Sequence, residues 1–174
     1  MEEQNVLATA GIVVMLLGAA HHAVTRAAAL ATAMPSAATD ACALLTAAEV
    51  STALGVTSLA GRHPFEGTTT CIWSDDPTAS INNRRVTLTV ISTASFDGAK
   101  SRGSSRVAIV PVSGIGDDAY SDGFKSHESP FLNVRKGAST IQLRVLNGGK
   151  LKELTLDEEK AKEADLGKAA AGRL

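Results

Sequence analysis

The sequence predicts an α+β fold in which helices pack on one face of an antiparallel sheet, preceded by an N-terminal signal or anchor helix. Several segments alternate apolar and polar residues as half-buried strands do, and two others begin with helix capping signals. An apolar run without charged residues precedes them all. We therefore expect a signal peptide or membrane anchor over 1–33, a linker over 34–40 and a single α+β domain over 41–174.

The apolar run VLATAGIVVMLLGAA occupies residues 6–20. It is shorter than the roughly 20 residues that cross a bilayer, and it has the length of a signal-peptide core. Residues 31–33 read Ala-Thr-Ala, which suits a signal peptidase, although Glu2 and Glu3 stand where a signal peptide is usually basic. A cleaved signal peptide and an uncleaved anchor over 6–33 both remain open, with a soluble amphipathic helix as a third interpretation. Either of the first two predicts a secreted or periplasmic domain, or one anchored to the membrane and facing outside the cytoplasm.

Cys42 and Cys71 are the two cysteines of the chain, and both lie in the predicted domain. An oxidising compartment would pair them. The sequence contains no C-x-x-C motif, which argues against a redox dithiol and a zinc knuckle. We expect a disulfide that stabilises the fold by about 3–4 kcal/mol in the chain-entropy model.

The stretch LLTAAEVSTALG predicts the first helix of the domain. Thr46 is a natural N-cap, and Glu49 completes a capping box with it. Leu45 and Val50 occupy the positions of a hydrophobic staple across this cap, and Gly55 is suited to end the helix in the left-handed conformation. The end of the chain repeats the signal, because Thr155 and Glu158 form a second capping box before a helical segment whose charged flank we expect to be solvated.

Strands are predicted between these helices, with a short helix or turn in TASFDGAKSRG. The alternating or β-branched segments are CIWSD, RRVTLTVIS, RVAIVPV and the hairpin FLNVRKGASTIQLRVLN, whose turn is KGAS. Trp73 follows the second cysteine closely and is expected to pack on the disulfide.

The charge of the chain excludes two classes of partner. The formal net charge is −1 and like charges do not cluster in runs, whereas nucleic-acid and anionic-membrane binders carry a basic face. We therefore predict no nucleic-acid partner, and a membrane contact only through residues 6–33 if they are not removed.

The motif VSGIGDDAY, residues 112–120, is the strongest candidate for a ligand loop. It lacks the lysine and following helix of a phosphate loop, and the order of ligands of an EF-hand. We interpret it as a turn between strands, with Gly114 and Gly116 at positive φ and an aspartate capping local N–H groups. Asp117, Asp118 and Asp122 remain the candidate residues for a cation.

A hydrolase would need a serine, a histidine and an acid in contact, and the nucleophile-elbow motif is absent. His63 and His127 lie in polar segments. The sequence therefore predicts no catalytic residue, no cofactor and no metal ligand set. A cleft that gathered both histidines and the aspartates would instead favour a hydrolase built from loops.

Four segments together resemble a known but uncharacterised family: DACALLTAAEVSTALG, CIWSDD, VSGIGDDAYSDG and LNVRKGASTIQLRV. The family consists of small exported bacterial proteins, often lipoproteins, best represented in high-GC bacteria. The resemblance spans about residues 39–146 and implies an exported domain with paired cysteines and no established activity or cofactor. This chain lacks the lipid-attachment cysteine that follows the apolar run in the lipoprotein members.

The function that the sequence favours is an exported, non-catalytic domain with a binding or structural role in the cell envelope. Its partner would be a small ligand or an envelope protein. The alternatives are a small loop-built hydrolase and a membrane-anchored sensor domain.

Intact-mass analysis of the protein from its native host tests the export prediction. We expect a mature chain that begins near Met34 and carries no free thiol. A full-length chain would contradict cleavage, and alkylation of Cys42 or Cys71 without prior reduction would contradict the disulfide.

Overall fold

The computed structural model describes residues 39–76, 84–124, 130–147 and 154–174. The predicted N-terminal helix, linker residues 34–38 and His127 lie outside these ranges. All described residues belong to one compact unit. None of the helices in those ranges combines the length and apolar character of a membrane-spanning segment.

Six strands form one sheet in which all neighbours are antiparallel, in the order β1-β2-β6-β5-β4-β3. This confirms the α+β class, and every predicted strand segment contains a strand. The bounds are β1 Thr70–Ser74, β2 Arg84–Ile91, β3 Val107–Pro111, β4 Asp118–Phe124, β5 Phe131–Lys136 and β6 Ser139–Asn147.

Both predicted capping boxes are present. Thr46 accepts a hydrogen bond from the Glu49 N–H while the Glu49 side chain accepts from the Thr46 N–H, and Thr155 and Glu158 repeat the exchange. Gly55 ends the first helix at φ 68°, as expected for a left-handed cap. The described residues contain a 3₁₀ turn and three helices: Ala41–Ala43, α1 Ala47–Leu54, α2 Thr93–Lys100 and α3 Leu156–Ala171.

One face of the sheet, which we call the inner face, packs against α1 and α3. Its alternate residues are fully or almost fully buried, as the periodicity predicts. They are Val86, Leu88, Leu132, Val134, Ile141, Leu143 and Val145.

Helix α2 lies on the opposite, outer face, so the prediction that the helices cover one face is wrong for this element. Tyr120 follows the inner residue Ala119 in β4 and therefore points to the outer face. The rings of Tyr120 and Phe96 are 4.9 Å apart, and the Tyr120 hydroxyl donates to the Phe96 carbonyl oxygen at 2.7 Å. The large aromatic side chain of Tyr120 would be exposed to solvent on the outer face. Helix α2 buries it by forming a small separate core with Phe96 and Ala99.

The disulfide between Cys42 and Cys71 is formed, with the two Cα atoms 5.0 Å apart, and it ties the 3₁₀ turn to β1. Trp73 is fully buried two residues further along β1, on the same face. Gly61 lies against both groups, because a Cβ at this position would be 2.6 Å from the Trp73 indole nitrogen and 2.8 Å from the Cys71 sulfur. The expected packing of Trp73 beside the disulfide is confirmed.

Replacement of Gly61 by alanine should destabilise the domain by about 1–3 kcal/mol, because neither the indole nor the bridged sulfur is free to move away. The control is Gly98→Ala in α2, where an added Cβ meets no atom within 4 Å. It should be neutral or stabilising by up to about 1 kcal/mol. Urea unfolding measures both, and equal stability of Gly61→Ala and the parent would contradict this packing.

Candidate ligand pocket and the predicted site residues

The VSGIGDDAY segment is a turn leading into β4. Gly114 and Gly116 have φ values of 79° and 59°. A Cβ on Gly116 would be 2.4 Å from the Arg135 carbonyl oxygen, so only glycine fits there. The carboxylate of Asp117 accepts from the Gly137 N–H at 2.7 Å. The predicted turn is confirmed, but its aspartate caps the distant β5–β6 turn and not local N–H groups.

Asp118 and Asp122 lie on the outer face and take part in structural contacts. Asp118 pairs with Lys100 at 2.7 Å and with Arg135 at 2.9 Å. Asp122 accepts from the Asn133 amide at 3.1 Å, and burial raises its pKa above the ordinary value. Asp117 points instead to the hairpin turn, so the structure does not bring the three candidate carboxylates together as a cation site.

Within the described ranges, one group of three metal-ligand side chains comes together: Asp40, Cys42 and His63. The Cys42 sulfur is in the disulfide and offers no thiolate. His63 is 3.1 Å from the Asp40 carboxylate through Nε2 and 2.9 Å from the Thr70 carbonyl oxygen through Nδ1. Both ring nitrogens are therefore engaged, and His63 links Asp40, the N-cap of the 3₁₀ turn, to Thr70 of β1.

His63 and the aspartates stand at different ends of the sheet. His63 contacts β1, whereas Asp118 and Asp122 belong to β4. Four strand spacings separate β1 from β4, about 19 Å. The arrangement that a loop-built hydrolase requires is not assembled from these residues, and His127 lies outside the described ranges.

A cavity of about 230 Å³ lies on the inner face, where α3 packs on β5 and β6 and leaves β3 and β4 partly uncovered. Val110 in β3 is 50% exposed for this reason. We call this cavity the Glu163 pocket. Its lining is mostly apolar and consists of Val110, Val112, Ser121, Leu132, Lys160, Ala161, Glu163 and Ala164.

Glu163 is the unusual residue of this pocket, because its side chain is only 1% exposed. Its Oε1 atom accepts from the Val145 N–H at 3.0 Å, and the carboxyl group forms no other hydrogen bond within the described ranges. Burial raises the pKa of Glu163 to about 8, and the neighbouring Glu159 adds to the shift. At neutral pH the group is therefore largely a neutral acid whose second oxygen carries a proton.

Ser121 lines the same pocket from β4 and is 8% exposed. Its hydroxyl forms no hydrogen bond in the part of the chain that the structure describes, but it is not fully buried, because the fully buried side-chain atoms without a partner there are Trp73 Nε1 and Arg144 Nε. A buried carboxyl group with a single hydrogen bond, beside a hydroxyl in one mostly apolar cavity, marks this pocket as the best candidate for a ligand site.

Glu163 was missed by the sequence prediction, which treated the charged flank of the last helix as solvated. That interpretation is wrong for Glu159 and Glu163, which are both buried. The available signal was their spacing: they continue, at intervals of three or four residues, into the buried stripe of Leu166 and Ala170.

A second groove, of about 450 Å³, lies between α1 and α3. It is wider and more open than the Glu163 pocket, and Lys162 closes part of it by donating to the Ala53 carbonyl oxygen. Of the side chains that line it, none is a buried polar group without a partner among the described residues. We therefore regard it as a surface feature of the helix pair.

Comparison of the chain with protein-family models, curated proteins and solved structures finds no match. The resemblance to small exported bacterial proteins stays a prediction.

The Glu163 pKa makes stability depend on pH. The folded protein keeps a proton that the unfolded chain loses near pH 4.5, so stability should fall as pH rises from about 4.5 to 8, by up to about 1.4 kcal/mol per pH unit. Glu163→Gln keeps an acceptor for Val145 and cannot ionise. Its stability relative to the parent should therefore increase across this range.

Chemical unfolding at pH 5, 6.5 and 8 measures this difference. Asp165→Asn, an exposed acid on the same helix, controls for the change in net charge. A constant difference between Glu163→Gln and the parent at all three pH values would show that Glu163 is ionised in the folded protein.

Proposed function

We propose that the folded domain is an exported, non-catalytic binding domain of the cell envelope, and that it holds a small, mostly apolar molecule in the Glu163 pocket. One observation carries this proposal: the carboxyl group of Glu163, with a single hydrogen bond among the described residues, lies buried in the wall of a mostly apolar cavity.

The size of the pocket fits this class of ligand. A cavity of roughly 150 Å³ is enough to bind benzene in a protein core. The Glu163 pocket, at about 230 Å³, has room for a substituted ring or a short chain. Its few polar groups among apolar side chains are the pattern by which small-molecule sites orient a ligand.

Two features support export. The Cys42–Cys71 disulfide is of a kind that persists in oxidising compartments. The apolar run over residues 6–20 precedes the domain in the sequence. We propose a secreted or periplasmic location, with attachment through residues 6–33 as the alternative.

A protein partner that adds a strand to the sheet is disfavoured at β3. Antiparallel alternation leaves the backbone groups of Val107, Ile109 and Pro111 directed away from β4. Ser104 occupies both backbone groups of Val107. The Ser104 N–H donates to the Val107 carbonyl oxygen at 3.0 Å, and the Ser104 hydroxyl accepts from the Val107 N–H at 3.1 Å. Pro111 has no N–H to offer, so only Ile109 retains a full pair of groups for an added strand.

The other edge of the sheet is covered by the chain itself. Arg62 exchanges two backbone hydrogen bonds with Ile72 of β1, at 3.0 and 2.9 Å, and the Leu59 N–H donates to the Ser74 carbonyl oxygen at 2.8 Å. Because most backbone groups at both edges are occupied or absent, a ligand in the pocket is better supported than an envelope protein that adds a strand to the sheet.

Binding of ethylbenzene, followed by NMR on ¹⁵N-labelled mature protein, tests the pocket. We expect the amide signals of Ser121 and Val145 to shift, since Ser121 lines the cavity and the Val145 N–H donates to the Glu163 carboxyl group. Ala164→Leu should fill the pocket and abolish the shifts, whereas Ala169→Leu, a matched change in the α1–α3 groove, should leave them intact.

Thermal unfolding is the control that tests whether both leucine variants are folded. The proposal fails if Ala164→Leu binds ethylbenzene as well as the parent does, or if neither ethylbenzene nor any of the polar probes of similar size described below shifts a pocket signal in the parent.

A further inference from the structure

We infer that the molecule held in the Glu163 pocket presents an uncharged carbonyl oxygen to Glu163, as a ketone, ester or amide does. This inference rests on the proposed function and specifies the polar end of the ligand.

The hydrogen bonds of Glu163 decide which atom type the pocket can recognise. Oε1 is occupied by the Val145 N–H, which donates to it from the backbone of β6. The other oxygen forms no hydrogen bond among the described residues, Glu163 lines the cavity, and with the pKa raised to about 8 by burial the carboxyl group is largely protonated near neutral pH. The pocket wall therefore offers an O–H donor, and Ser121 offers a second.

A donor of this kind pairs with an acceptor oxygen. A hydrocarbon would leave it unpaired, and leaving a buried polar group unpaired costs binding free energy. A ligand with a carbonyl oxygen satisfies the donor without bringing a charge into the cavity, so its binding pays no cost for burying an ion.

The charged groups around Glu163 argue against a cationic ligand. Lys160 of α3 lines the pocket itself and would repel an ammonium group. Arg144 of β6 would also repel a cation, and it favours the ionised form of Glu163. Glu159 of α3 and Asp122 of β4 have the opposite charge, and they favour the protonated form of Glu163. A carboxylate ligand could pair with Lys160, but its charge would have to enter an apolar cavity next to Glu163.

Ionisation of Glu163 should remove the preference of the pocket for a carbonyl oxygen. Above about pH 8 the carboxylate would face the carbonyl oxygen of the ligand, and two acceptors repel. Glu163→Gln behaves differently, because its amide oxygen can accept from Val145 while its NH₂ group donates into the pocket at any pH.

Four probes of similar size separate these cases: acetophenone, benzylamine, benzoate and ethylbenzene. Their dissociation constants for the mature protein are measured by NMR titration at pH 6.5 and pH 9.5. We expect acetophenone to bind about tenfold more tightly than ethylbenzene at pH 6.5 and to lose this preference at pH 9.5. In Glu163→Gln the preference should persist at both pH values.

The outcomes distinguish this inference from the proposal beneath it. Tightest binding of benzylamine or benzoate, equal binding of acetophenone and ethylbenzene at pH 6.5, or a preference in the parent that persists at pH 9.5, would overturn the carbonyl assignment and leave the pocket standing as an apolar site. If no probe binds, the proposed function itself fails.

Discussion

The register between β2 and β6 is the constraint on which the other parts of the structure depend. It joins the pair β1–β2, from the first half of the domain, to the strands β3–β5 through eight consecutive residue pairs. In this register Leu88 lies opposite Leu143, and Leu143 in turn lies opposite Leu132 in β5. A slip of one residue would turn the whole apolar stripe of a strand to the other face, and the contacts with α1 and α3 would be lost.

The same register also organises the outer face, where it aligns polar side chains in a row across the sheet. The hydroxyls of Thr70 and Thr89 are 3.0 Å apart at one end of this row. Towards the other end, Gln142 donates to Asn133 at 3.1 Å and Asn133 donates to Asp122 at 3.1 Å. Since Asn133 is completely buried, its amide depends on these partners, and the polar row penalises a slip in addition to the apolar stripe.

The features that could be predicted from the sequence are those determined within a few residues of the chain. The capping boxes at Thr46 and Thr155, the glycine turn before β4 and the β5–β6 hairpin all depend on local backbone hydrogen bonds and φ angles. The disulfide could be predicted because two cysteines leave only one pairing within the chain.

The pocket could not be predicted in this way. Glu163 is a good residue for a solvated helix face, and it is buried only because α3 is placed by its contacts with β5 and β6. The strand order that leaves β3 and β4 partly uncovered depends on pairing between distant segments, which one sequence does not reveal. The position of α2 was missed for the same reason: Phe96 acquires its role only when β4 presents Tyr120 on the outer face.

The two edges of the sheet are closed by unrelated means. The segment that contains Leu59 and Arg62 runs along β1, whereas Ser104 and Pro111 block part of β3. A sheet with open ends grows by adding strands from neighbouring copies, and the rate of that growth increases with concentration. With these edges largely closed, such growth through the sheet is disfavoured even at high local density, as in a narrow compartment or on a crowded surface. The closures thereby oppose association between copies of the folded chain, a property separate from its stability and from what it binds.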